Sequence, residues 1–198
     1  MTRFNQAMCA LLPITLLAGC ATAIAPVDVT RFHGEGVARS GTVHIVPANP
    51  ADEGSLEFRT TANAVRAALT RTGFAVLDEG VRRGDYEAVV EIGRQTHQPG
   101  RTRSPVSVGV GGSTGSYGSG LGVGLGIDLS GKPKPIVASR LRVQLRRMSD
   151  GTAIWEGRAE TQAKEGTPAA QPGIAAGKLA DALFRDFPGA SGVTISVK

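Results

Sequence analysis

Cysteine is nearly absent from this chain: two in 198 residues, Cys9 and Cys20. A scaffold stapled by several disulfides is therefore excluded, and the fold must stand on its hydrophobic core. Aromatics are scarce, 5% of the residues with Trp155 the single tryptophan, which makes Trp155 the natural core anchor. Lys and Arg never form a run of five or six, so the formal charge of +5 is spread along the chain and leaves no nucleic-acid footprint. Long apolar runs are missing as well. No segment beyond the N-terminus approaches the roughly 20 residues a spanning helix needs.

What is present begins at the N-terminus. Arg3 precedes an apolar stretch over 7–17, and Leu17-Ala18-Gly19-Cys20 closes it. The stretch is too short to cross a bilayer and reads as a secretory leader. A leader ending in Leu-Ala-Gly-Cys resembles the lipobox of bacterial lipoproteins. That resemblance implies cleavage between Gly19 and Cys20, a diacylglyceryl group on the Cys20 sulfur and an acyl group on its new amine. Cys9 would leave with the leader and Cys20 would be consumed by lipid, so no disulfide remains. Three acyl chains anchor far more tightly than one, at roughly 0.8 kcal/mol per buried CH2. The mature chain is thus expected to be anchored to a membrane and not to span it. Residue 21 is Ala and not the Asp that resembles an inner-membrane retention signal, which points to the periplasmic side of an outer membrane. An exported protein of this kind has no nucleic-acid partner.

The remainder is long enough for one domain and short for two. Residues 20–26 form a small-residue tether, and 27–198 the domain. Alternation predicts strands over 27–32 and 42–47, the second closed by Pro47. A helix is predicted over 55–72, where Phe58, Ala62, Val65 and Leu69 recur at helical spacing between a Ser55 N-cap and a Gly73 stop. Strands follow over 74–77 and 86–92. Leu141, Val143 and Leu145 begin a hairpin that turns at Ser149-Asp150-Gly151-Thr152 and returns through Trp155, Gly157 and Ala159. A second helix over 173–186 and a last strand over 193–197 complete an α+β fold, a mainly antiparallel sheet with two helices on one face.

The hairpin with Asp150-Gly151-Thr152 at its turn and Ile154-Trp155-Glu156-Gly157 on its return resembles the closing hairpin of the envelope lipoproteins grouped as domain of unknown function 4136. The lipobox, the strand-helix-strand opening over 42–77, the glycine-rich insert over 107–131 and the late Phe187-Pro188 agree with it. The resemblance implies fold and location. It brings no activity.

Motifs for chemistry are weak. Gly111-Gly112-Ser113-Thr114-Gly115 has the letters of a nucleophile elbow, but His33, His44 and His97 all precede Ser113 and no helix follows it. Residues 126–132 begin like a phosphate-binding loop, yet Pro133 stands where a hydroxyl should meet magnesium. The histidines lack metal spacing. No catalytic residue, metal or cofactor is therefore assigned, and an envelope hydrolase with an unrecognised site is the alternative to a structural or binding lipoprotein.

Two features remain. Arg140, Arg142 and Arg146 share one strand face, opposite Glu156, Arg158 and Glu160 of the return strand. Plain cross-strand ion pairing is the simpler account; a surface for phosphate-rich glycolipid or anionic glycan is the functional one. In the glycine-rich segment, Val106, Val108 and Val110, then Leu121, Val123, Leu125, Ile127 and Leu129, alternate with serine, glycine and, before Leu129, Asp128. That is strand period, so 107–131 is a hairpin turning over 111–118 or a loop. Its bare, uncharged strands make 106–129 an interaction element for a protein or glycan partner or for self-association.

If Cys20 is the anchor, Cys20→Ser leaves an unprocessed precursor without lipid. Mass spectrometry that finds an unmodified mature N-terminus elsewhere would refute it.

Overall fold

The computed structural model describes residues 25–78, 80–81, 83–100, 106–115, 118–127 and 133–198. Gly19 and Cys20 lie outside them. Among the described residues nine strands and two α-helices follow in order: β1 (Val27–His33), β2 (Gly41–Pro47), α1 (Leu56–Thr72), β3 (Phe74–Val76), β4 (Tyr86–His97), β5 (Val106–Gly115), β6 (Gly118–Ile127), β7 (Ile136–Arg147), β8 (Ala153–Lys164), α2 (Pro172–Phe184) and β9 (Thr194–Val197). Seven strands make one sheet in the order β3-β2-β4-β7-β8-β1-β9. β2 runs parallel to β3 and β4, and the other pairs are antiparallel. This is the α+β fold read from the sequence.

Local chemistry explains the helices. In α1 the Ser55 hydroxyl accepts from the Phe58 amide at 3.1 Å, and Glu57 sits in the positive first turn. Gly73 ends it at φ 108°, its amide bonding back to Leu69 and Thr70. A Cβ there would stand 2.9 Å from the Arg39 carbonyl, so only glycine fits. The predicted face is the one buried: Ala62, Val65, Ala68 and Leu69, joined by Thr61.

α2 stops at Phe184, two residues short of the predicted 186. The cause is a residue that the alternation of β1 turns inward. Val27, Val29 and Arg31 face the helices, while Phe32 faces solvent at 46% exposure. Arg31 is 3% exposed, and its guanidinium donates to the carbonyls of Leu183 (2.9 Å), Ala182 (3.0 Å) and Arg185 (2.8 Å). These are carbonyls left without intrahelical partners at a helix C-terminus, where a cation also meets the negative end of the dipole. Burial pulls the Arg31 guanidinium below its usual pKa, and Asp186 partly offsets this.

The core lies between the helices and the sheet. Trp155 stacks on Phe184 with centroids 5.3 Å apart and tilts against Phe187 at 5.2 Å; Phe74 closes the cluster edge-on to Phe187 and Tyr86. The indole N–H donates to the Pro188 carbonyl at 3.1 Å. The indole lies across Gly157, where a Cβ would stand 2.4 Å from the ring and 2.7 Å from Leu183.

Three strands outrun their hydrophobic patterns. β4 continues past Ile92 to His97, β7 begins at Ile136, and β8 ends at Lys164. Their pairing extends to His97↔Ile136 and Ile136↔Lys164. Past Ile92 the residues of β4 are exposed and backbone bonds carry the strand, whereas Val137, Ser139 and Thr161 keep the extended parts of β7 and β8 partly buried. Beyond them β5 and β6 form a separate two-stranded sheet, so the glycine-rich segment is a hairpin and not a loop. Its strands reach Gly115 and Gly118, so most of 111–118 is strand and not turn.

Replacing Gly157 by Ala forces the indole or Leu183 off its rotamer. We expect a loss of about 1–3 kcal/mol, the usual cost of overpacking a core, measured as a lowered midpoint in urea unfolding with the slope unchanged.

Candidate functional site

One face of the sheet carries both helices; the other carries none. On that uncovered face the register sets Arg140 opposite Glu160, Arg142 opposite Arg158 and Gln144 opposite Glu156, with Glu91 and Glu87 of β4 opposite Arg142 and Arg146. Arginine opposite arginine is unfavourable unless a carboxylate intervenes. Glu156 supplies it. Its two oxygens accept from Arg142 Nε at 3.2 Å and Nη2 at 3.1 Å, from Arg158 Nη2 at 2.8 Å and from Gln144 Nε2 at 3.2 Å. Arg142 also lies 3.7 Å from Glu91, and Arg140 pairs with Glu160 at 2.6 Å.

The structure thus brings Arg140, Arg142 and Arg146 to one face, as the sequence predicts, and gives the first two carboxylate partners. Arg146 differs. Its Nε donates to the Gln144 side chain at 2.7 Å, and among the described residues no carboxylate lies within ion-pairing distance of it. It borders a shallow groove of about 220 Å³ with Val89, Glu91 and Arg142. Four arginines face four glutamates across this surface, so its charge is neutralised internally. The geometry favours ion pairing over capture of an anion.

His44 shares the face and is 4% exposed. Its Nε2 lies 3.2 Å from Glu87, and its Nδ1 has no partner. His33 bonds to the Gly34 and Gly189 carbonyls, and His97 lies at the far end of β4. Among the described residues, no three His, Cys, Asp or Glu side chains converge as metal ligands would. Ser113 sits inside β5 in register with Gly120, in extended backbone without the strand-to-helix turn of a nucleophile elbow. Residues 128–132 of the loop-like motif lie outside the described residues.

Sequence reasoning did not find the inward role of Arg31; the signal was its odd-numbered place in the series Val27, Val29, Arg31. Nor did it find how the domain grips the predicted tether. The Lys178 ammonium donates to the Ala25 carbonyl, and the Thr161 hydroxyl to that of Pro26 at 3.0 Å. Among the described residues no helix is long and apolar enough to cross a membrane.

Comparison with known proteins gives one clear relative. The chain is 33% identical to the uncharacterized protein ZMO1243 of Zymomonas mobilis, over 87% of this chain and 80% of that protein. The chain belongs to that protein's family. No family model matches it. Among solved structures, a PDZ domain protein from Parabacteroides distasonis aligns with 87% of this chain and 39% of its own, at 7% identity and a TM-score of 0.48. The PelC dodecamer from Paraburkholderia phytofirmans aligns with 79% of this chain and 92% of its own, at 15% identity and a TM-score of 0.38. Scores this low carry no argument about this family.

Its bonds to Arg142 and Arg158 hold the Glu156 carboxyl below its ordinary value of 4.5, against an opposing push from burial. A depressed carboxylate stabilises the fold above its unfolded pKa, and that contribution drains away as pH falls through the folded value. Glu156→Gln should therefore cost about 1 kcal/mol or less at pH 7, since its arginine partners are half-exposed. The gap between the two proteins' thermal midpoints should close as the pH is lowered below the depressed folded value of Glu156. A gap that is constant with pH would show that the charge of Glu156 does not matter.

Proposed function

We propose that this family member is a lipid-anchored envelope lipoprotein. Cys20 holds it to the periplasmic side of the outer membrane, and the domain serves as a non-enzymatic structural, assembly or binding module for an envelope protein or glycan. Leu17-Ala18-Gly19-Cys20 at the end of a short apolar leader carries this reading. The position of the folded chain supports it. The domain takes hold of the backbone at Ala25 and Pro26, five residues beyond Cys20, so an anchor there would keep the sheet close to the membrane surface.

Density-gradient fractionation of envelopes tests the location. In a host with two membranes, the protein should travel with outer-membrane porins. Recovery with inner-membrane markers would overturn the sorting. Crosslinking in intact envelopes followed by capture of the anchored protein then identifies the partner class.

A further inference from the structure

The β5–β6 hairpin stands apart from the domain. β4 and β7 pair as far as His97↔Ile136, the seven-stranded sheet ends there, and the hairpin is a two-stranded sheet of its own. Its register sorts most of its residues by face, with Thr114↔Ser119 a polar pair at the far end of the aliphatic one. Val106↔Ile127, Val108↔Leu125, Val110↔Val123 and Gly112↔Leu121 share one face. Ser107↔Gly126, Gly109↔Gly124, Gly111↔Gly122 and Ser113↔Gly120 share the other. Between Val106 and Ile127 there is no charged residue, whereas Arg101, Arg103, Lys132 and Lys134 flank the open end in sequence.

Such a hairpin is poorly suited to water. Two strands alone are marginal there. Four glycines in β5 and five in β6 raise the cost of ordering it, and long uncharged edges invite pairing. In a bilayer the balance reverses, because every backbone N–H and C=O must be bonded and strands must close on one another. Each strand has 10 residues, within the roughly 9–11 that cross a membrane at a tilt of about 45°. One aliphatic face and one small or polar face is the pattern of a transmembrane barrel. The flanking stretches carry Arg101, Arg103, Lys132 and Lys134 against Asp128 in sequence, a net positive charge that suits anionic headgroups. Want of a 20-residue apolar run excludes a spanning helix and leaves strands possible.

We propose that several copies of this chain pool their β5–β6 hairpins edge to edge into one closed, membrane-spanning sheet, with the aliphatic face against lipid and the glycine and serine face lining the lumen. One hairpin leaves two open edges, so it cannot cross alone. The smallest barrels have about eight strands, hence about four copies. The proposal rests on the envelope reading only in requiring a bilayer.

The test uses the full chain, purified from envelopes and reconstituted in vesicles of phosphatidylethanolamine and phosphatidylglycerol. Single cysteines replace Val108, Val110, Val123 and Leu125 on one face, or Gly109, Gly111, Gly122 and Gly124 on the other. Each carries an environment-sensitive dye, and the unsubstituted chain gives the background. Quenching by nitroxides on the lipid tails should be several-fold stronger on the first face than on the second. Crosslinking in the same vesicles should reach at least the tetramer. Leu125→Lys should abolish both signals without moving the thermal midpoint of the domain, and Gly124→Ser should keep both. Equal quenching on the two faces overturns the proposal, as does a monomer. Oligomers without lipid quenching also overturn it, showing hairpins that pair in water. Alternating quenching in a chain whose Cys20 bears no lipid would refute the anchor and leave the barrel standing.

Discussion

The guanidinium of Arg31 at the end of α2 ties together the parts of this fold that lie farthest apart in sequence. It carries a full charge into a 3%-exposed site and spends its donors on three carbonyls that α2 cannot bond itself. A buried cation is costly unless fully hydrogen-bonded. The arrangement therefore tolerates little movement between β1 and α2. The Arg31 carbonyl in turn accepts from the Gly192 amide at 2.7 Å, and His33 bonds to the Gly189 carbonyl, so the segment leading to β9 is placed by β1 as well. With α2 fixed, Phe184 and Phe187 close on Trp155, and the core has its lid.

The two sheet faces divide the work. The inner face is aliphatic and aromatic, with Leu141, Val143 and Leu145 fully buried beside Trp155. The outer face is a balanced lattice of arginine and glutamate around Glu156. Exposed ion pairs contribute little stability each. Their larger effect is on register and solubility: a slip of one residue would bring like charges together and turn the apolar set outward. A wide uncovered sheet is thereby kept from pairing face to face with other proteins. The β5–β6 hairpin, by contrast, has no charge along its strands to guard it.

Strand and helix periods, both caps of α1 and the turn at Asp150-Gly151 were legible in the sequence, because each depends on residues a few positions apart. The extension of β4, β7 and β8 to 97, 136 and 164 was not, since β4 is exposed past Ile92 and the inward positions that continue β7 and β8 include the polar Ser139 and Thr161. The faces of the glycine-rich strands were legible from alternation. Whether they paired was not, because glycine permits strand and loop alike.

By itself, the sequence determined an α+β chain with two cysteines, too few for a disulfide framework, since composition and local period suffice for these. Only the tertiary structure decided that β2 runs parallel between β3 and β4, that Arg31 turns inward while Phe32 faces water, and that Glu156 joins two arginines that would otherwise repel. The first two depend on partners tens of residues away, up to about 150 for Arg31, and the third on the β7–β8 register that sets Arg142 14 residues from Glu156.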